Sequence, residues 1–218
     1  MALRFKRVPR HIGIIPDGNR RWAVSHGFSK EKGYAFGVKA AQNCFKQVFA
    51  LNLGIDEVSA YAFTHENTLR SKIQVAAFQA ACTKASFWMK RQDISFLIVG
   101  DTSSPLFPRS LLKFTVPDAD RDEKKKVNFL VNYSWRWDLG CAAGATKSDM
   151  LSRIGSKDVS RIDLIIRWGN RRRLSGFLPL QSAYADLFVV DKFWPEFHID
   201  DFYRALRWYE QQDVTHGG

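Results

Sequence analysis

Residues 11–23 read HIGIIPDGNRRWA. A short apolar run, Ile12 to Ile15, stops at Pro16. Asp17, Gly18, Asn19, Arg20, Arg21 and Trp22 follow at once. An apolar strand with this ending delivers polar groups to its C-terminal edge, where open α/β sheets bind ligands. A carboxylate there can hold a divalent cation, and paired guanidiniums can hold phosphate oxygens.

Outward from that stretch, segments of two periods alternate. Strand-like runs fall at 11–15, 58–63, 95–99, 127–132, 162–167 and 186–190. Helical spacing appears between them. Val38, Ala41, Phe45, Val48 and Phe49 recur at i, i+3/i+4, and Ile73, Phe78, Ala81, Ala85, Trp88 and Met89 form a broader apolar face. A last helix is expected over 199–212, with Asp200 and Asp201 at its positive end and Ile199, Phe202, Leu206 and Tyr209 buried. Strands alternating with helices predict a mostly parallel sheet flanked by helices. The charged run 118–126 reads as a solvated loop. No repeat or linker divides the chain, so residues 1–218 are expected to form a single α/β domain.

Composition narrows the function classes. The chain has 218 residues, 45% hydrophobic and 25% charged, which suits one globular domain with a real core. Its net charge of +11 points to a polyanionic partner: nucleic acid, an anionic membrane surface or a phosphorylated small molecule. Cys44, Cys82 and Cys141 are odd in number and show no CxxC spacing, which suits thiols in a reducing compartment rather than a metal site. The apolar run behind the basic first ten residues is too short for a signal peptide or a membrane span. A cytoplasmic protein is expected, with peripheral membrane contact left open.

If the sheet is parallel, four polar clusters converge on one edge. They are Asp17–Arg21, then Thr64, His65, Glu66, Asn67 and Arg70, then Asn132–Arg136, then Arg167–Ser175. Many arginines with Asp17, Glu66 and Asp186 as carboxylates suit two diphosphates bridged by Mg²⁺. Arg167–Ser175 also has the look of a basic patch with an interleaved aromatic, Trp168. It follows a core strand rather than lying on a tail or an exposed helix, so nucleic acid is not the expected partner.

The segments HIGIIPDGNRRWA, AYAFTHENTLR, NYSWRWDL and IIRWGNRRRLSGFLPLQSAYADLFVVDKFWPEF, in that order, resemble the signature segments of the cis-prenyltransferases, the undecaprenyl diphosphate synthase family. The resemblance spans about residues 8 to 210 and is weakest over 100–160. It implies a six-stranded, mostly parallel sheet with an apolar product tunnel, a homodimer, and Mg²⁺-dependent condensation of an allylic diphosphate with a C5 isoprenoid diphosphate. By position, Asp17 is similar to the family's aspartate for Mg²⁺ and the leaving diphosphate. Asp186 stands where a glutamate completes the metal site. Asn19, Arg21, Glu66 and Asn67 would join Asp17 in catalysis, with Asn19 and a neighbouring hydroxyl as one route for the departing proton. Gly18, Arg20, Trp22, Lys30, Tyr34, Thr64 and Arg70 would contact substrate. Arg167, Arg173 and Ser175 would take the second diphosphate. Phe188, Phe193 and Trp194 are candidate interface aromatics.

Departures from the family pattern carry their own expectations. Tyr34 replaces a His, Lys30 an Arg and Thr68 a Trp. Ser134 and Trp135 replace a Gly-Gly pair, and Trp168, Asn170 and Arg171 alter the segment for the second substrate. The family's Arg-rich tail is not recognisable over 213–218. Phe129 and Leu130, with Phe78, Phe87 and Trp88, predict a short tunnel and a product of roughly ten to twenty carbons. The altered second-substrate segment is similar to irregular, lavandulyl-type members that join two allylic units head to middle. Regular head-to-tail elongation with isopentenyl diphosphate is the alternative. A non-catalytic partner subunit and a polyanion-binding protein are the remaining readings.

Overall fold

The computed structural model describes residues 4–119 and 124–213. Six strands form one sheet in the order β3-β4-β2-β1-β5-β6. They are β1 (His11–Ile15), β2 (Glu57–Thr64), β3 (Ser95–Val99), β4 (Lys126–Tyr133), β5 (Leu164–Trp168) and β6 (Asp186–Val190). Every pairing is parallel, so all six C-terminal ends lie along one edge. The mostly parallel sheet expected from the alternation is thus wholly parallel. Of the charged run 118–126, residues 120–123 lie outside the described residues, and Lys126 already opens β4.

Side chains alternate across the strands and separate two cores. Ile12, Ile14, Phe129, Val131 and Ile166 face α2 (Lys32–Ala50), α3 (Lys72–Met89) and α6 (Ile199–Tyr209). Ile15, Leu97, Leu130 and Ile165 face the other way, against Phe177 and Leu178 of the coil before β6. Burial on both faces is why the strands read as unbroken apolar runs rather than alternating ones.

Helix α2 begins six residues earlier than the apolar spacing from Val38 indicates. Its first turns pack through absent side chains. A Cβ on Gly33 would lie 2.2 Å from the Asn19 carbonyl oxygen, and one on Gly37 would lie 2.4 Å from Asn19 Oδ1. Contacts made by glycine leave no hydrophobic signal, so the start of the helix is silent in the sequence. Asn19 belongs to α1 (Asn19–Ser25), a short helix that apolar periodicity also does not reveal. On α3, Val75, Cys82, Ala85 and Met89 are buried, while Ile73 is 70% exposed and leaves the apolar face expected of it. In α6, Asp201 is buried and paired with Lys192 and Arg204.

Beyond β4 the chain is held by one buried carboxylate. Asp138, in α4 (Trp135–Gly140), accepts from the Tyr133 hydroxyl at 2.6 Å, from Ser156 N at 2.7 Å and from Ser156 Oγ at 2.8 Å. Burial beside this carboxylate pushes the Tyr133 phenol up, so the hydroxyl stays a donor. Asp138→Ala strands three buried donors, and urea denaturation should show a loss of ~2–4 kcal/mol.

Candidate active site

The site begins where β1 and β5 end side by side, with Ile15 opposite Arg167 in the register. Two residues beyond Ile15, the Asp17 carboxylate meets Arg167 Nη2 at 2.8 Å and Arg21 Nη2 at 3.3 Å. Arg21 also donates to the Gly169 carbonyl at 2.9 Å and lies 4.9 Å over the Phe193 ring. Arg167 Nη1 donates to Ser175 Oγ at 3.0 Å and to the Arg173 carbonyl. One guanidinium therefore joins the loop after β1 to the loop after β5.

A cavity of about 670 Å³ opens at this edge. Its polar lining comprises Asp17, Asn19, Arg20, Arg21, Thr64, Glu66, Asn67, Arg70, Arg167, Arg173 and Ser175, with the backbone of Gly18. Three of the four predicted clusters thus arrive together, and the fourth contributes Trp135. The short turn after β2 is set locally: Asn67 Oδ1 accepts from Thr64 N at 3.3 Å in a reciprocal cap. Arg70 donates to the Tyr34 hydroxyl at 2.9 Å, and Tyr34 stacks on Phe78 with ring centroids 4.5 Å apart. Burial lowers the Arg70 pKa from its ordinary value, the neighbouring Tyr34 and Asp17 opposing that shift. Burial raises the Tyr61 phenol, helped by Glu66, so its hydroxyl remains a donor to the Ser175 carbonyl at 3.2 Å. Asn19 Oδ1 and Arg167 Nε are buried without a partner, which marks the site as short of polar groups a ligand can supply.

Behind the arginines the lining turns apolar: Val38, Ala41, Phe45, Ala60, Ala81, Cys82, Ala85 and Phe129. Phe129 packs edge-on against Phe96 at 5.1 Å and tilted against Phe45 at 5.8 Å. The Cys82 thiol is pushed up to about 12 by burial and is an uncharged wall residue. Ala41, Phe45 and Ala81 were legible as members of helix faces, and Cys82 only as a thiol. The small members among them leave space, a property that periodicity does not report. Phe193 and Tyr61 were likewise not expected beside the polar groups.

Several expected residues are elsewhere. Leu130 is fully buried in the opposite core, because neighbours on a strand face opposite sides, and it cannot line this cavity. Phe87 lies in a separate surface groove with Phe114 and Lys113, and Trp88 packs on the core outside the cavity. Trp22 stacks in a cluster with His26, Phe28 and Phe36, and Lys30 is exposed; neither lines the cavity. Trp194 is no interface aromatic: it is buried, crosses Trp168 at 4.8 Å and donates its indole N–H to the Gly37 carbonyl. Phe188 packs against Trp208. Trp168 is core, and Arg171 and Arg172 are exposed, so the altered segment reaches the cavity only through Arg167, Arg173 and Ser175.

Asp186 is the largest displacement. It opens β6 opposite Leu164, three residues before Arg167, and so lies about 10 Å back along the strands and two strands sideways. Within one chain it cannot share a cation with Asp17. Burial raises its pKa, opposed by Arg7. Among the described residues, no three His, Cys, Asp or Glu side chains form a metal-holding group. The donor set still fits Mg²⁺, which is usually held by one or two carboxylates plus substrate phosphates. Asp17 is such a carboxylate. No helix among the described residues is long and apolar enough to cross a membrane.

Comparison with known proteins agrees with this geometry. The family model for undecaprenyl diphosphate synthase matches residues 15–217. The ditrans,polycis-undecaprenyl-diphosphate synthase of Pectobacterium atrosepticum is 31% identical, with 96% of this chain and 90% of that protein aligned. An isoprenyl transferase of Leptospira interrogans is 31% identical over 100% of this chain and 98% of its own length. Dehydrodolichyl diphosphate synthase 4 of Arabidopsis thaliana is 32% identical over 99% and 81%. Among solved structures, lavandulyl diphosphate synthase from Lavandula x intermedia, in complex with dimethylallyl diphosphate, superposes with a TM-score of 0.82 at 23% identity, covering 96% of this chain and 98% of that one. The polar C-terminal edge, the wholly parallel sheet and near-complete matches to named prenyl diphosphate synthases have one common account: the chain belongs to the undecaprenyl diphosphate synthase family, the cis-prenyltransferases.

Proposed function

We propose that this chain ionises an allylic diphosphate and couples it to a second C5 isoprenoid diphosphate, giving a short-chain isoprenoid diphosphate. The observation that carries the reading is one cavity lined both by Asp17 with arginines and by apolar side chains that include Phe45 and Phe129. A volume of about 670 Å³ is that of an ordinary small-molecule site, which favours a short product over a long polyprenyl chain.

The leaving diphosphate would sit against Arg21, Arg20 and the Gly18 backbone, with Arg70 closing the side toward α3. Breaking an allylic C–O bond builds negative charge on that diphosphate, and preorganised guanidiniums stabilise it most when the charge is greatest. Mg²⁺, held by Asp17, would add Lewis-acid stabilisation of the departing diphosphate. Arg167, Arg173 and Ser175 would fix the second diphosphate, so that its double bond faces the allylic carbon. The π electrons of that double bond form the new C–C bond. The resulting tertiary cation then loses a proton to the released diphosphate or along a route through Asn19. The stacked Tyr34–Phe78 pair and the alanines behind it would exclude water from the cation.

Glu66 and Asn67 would hold the loop over the leaving group. Lys30 and Trp22 stand outside the cavity and would act only through the loop that carries them. Head-to-middle coupling, as in lavandulyl-type enzymes, and head-to-tail coupling both use this arrangement and differ in the acceptor. β6 is an edge strand with Leu187, Phe188 and Val189 half-buried, which supports a homodimer through that edge. Sedimentation of the purified chain should give a mass of two copies; a monomer at micromolar concentration would refute the pairing.

Incubation with Mg²⁺ and dimethylallyl, geranyl or farnesyl diphosphate, with and without isopentenyl diphosphate, should release pyrophosphate and give a product of fixed mass. Product from allylic substrates alone identifies head-to-middle coupling, and no release under any condition rejects the enzymatic reading. Asp17→Ala should lower kcat by about 10²–10³-fold. Phe129→Ala removes a ring of the apolar lining and should lengthen the product by at least one C5 unit, read by mass spectrometry. An unchanged product would place the floor elsewhere.

A further inference from the structure

Two guanidiniums of the cavity wall, Arg20 and Arg70, differ from Arg21 and Arg167 in what holds them. Arg21 and Arg167 pair with the Asp17 carboxylate. Arg20 Nη1 instead donates to Gln74 Oε1 at 3.2 Å, and Arg70 Nη1 donates to the Tyr34 hydroxyl at 2.9 Å. An amide and a phenol are uncharged acceptors, so they fix the direction of each guanidinium without neutralising it. The two cations also feel each other. Burial lowers the Arg70 pKa most, and the charge of Arg20 pushes it the same way.

The two acceptors are themselves fixed by α2 and α3. Gln74 and Phe78 lie one turn apart on α3 and share a face of it. Tyr34, in the first turn of α2, is 3% exposed and lies flat on Phe78, with 2° between the ring planes. Phe78 in turn meets Phe63 of β2 edge-on at 5.2 Å. The Arg70 guanidinium lies 5.6 Å from the Phe78 ring centre. Like charges held close in a half-buried wall repel, and neutral acceptors do not relieve that repulsion. A polyanion that meets both guanidiniums does. A carboxylate at position 74 would hold Arg20 as firmly as the amide does, but it would compete with the ligand for the charge.

We infer that Gln74 and Tyr34 are positioning residues: through Arg20 and Arg70 they hold a clamp of two unneutralised guanidiniums that takes the leaving diphosphate from the side of α3. The inference rests on the diphosphate reading above. Asp17 and its two arginines fix the loops after β1 and β5 to each other, whereas the clamp keeps its charge free for the ligand. Gln74 sets the reach of Arg20, and the Tyr34 oxygen sets that of Arg70.

Calorimetric titration of the whole chain with inorganic pyrophosphate, without metal, reads the clamp apart from turnover. Steady-state kinetics with an allylic donor and isopentenyl diphosphate read it during the reaction. Tyr34→Phe keeps the ring stack and removes one acceptor, and Gln74→Leu removes the other. Each should weaken pyrophosphate binding by about five- to tenfold and raise the donor KM by a similar factor, with the acceptor KM and the thermal midpoint unchanged. Gln74→Glu separates positioning of a free charge from packing. It keeps an acceptor for Arg20 but neutralises the guanidinium, so it should weaken pyrophosphate binding more than Gln74→Leu does and flatten its salt dependence. Wild-type pyrophosphate affinity in Tyr34→Phe and Gln74→Glu overturns the inference, as does a loss that follows a lowered thermal midpoint or raises both KM values together. A wild type that binds pyrophosphate and loses that affinity in the variants, yet turns over no substrate pair, sustains the clamp and rejects the coupling reading. A wild type that neither binds pyrophosphate nor turns over overturns both.

Discussion

Arg167 is the residue on which the site depends. It is 4% exposed, and its two terminal nitrogens are shared among Asp17, Ser175 and the Arg173 carbonyl. A buried guanidinium needs its donors met, which here holds for the two terminal nitrogens and not for Nε, and removing one partner of such a pair is costly. The parallel register of β1 and β5 brings Ile15 opposite Arg167, and that register decides which carboxylate the guanidinium finds. Loops that are far apart in sequence are thus locked to one geometry before any ligand arrives.

The sheet then sorts chemistry by depth. At the strand ends, chain direction brings polar loops together from β1, β2 and β5. Further back, alternation assigns each side chain to one of two cores, and the apolar lining comes mainly from the face toward α2 and α3. Small residues on those helices leave the space, which Phe45 and Phe129 also line. One cavity therefore has both charged and apolar lining, a combination that would suit an amphiphilic diphosphate.

Most of this was legible in the sequence for physical reasons. Strands buried on both faces announce themselves as apolar runs, and all six fall where those runs predict. The polar clusters announced themselves because arginines placed directly after a core strand have no packing reason to be there. What stayed hidden rests on contacts rather than composition. The start of α2 is written in glycines that press on Asn19. The face of Leu130 depends on strand parity, and both Phe129 and Leu130 look equally apolar in a linear reading. Trp168 resembles a site aromatic and Trp194 an interface one until their edge-to-face packing is seen. Asp186 sits within a recognisable segment, yet its place at the start of a parallel strand puts it on the far edge of the same chain.

Five arginines around this cavity face two carboxylates, one of them already engaged. The free site is consequently a trap for any multivalent anion, because a concave, low-dielectric wall focuses the field of such a cluster. On the proposed function, inorganic phosphate, nucleotides and the released pyrophosphate would all meet the same guanidiniums as the substrates. Occupancy of such a site would then depend on the surrounding anions and ionic strength as well as on the concentration of its own substrates.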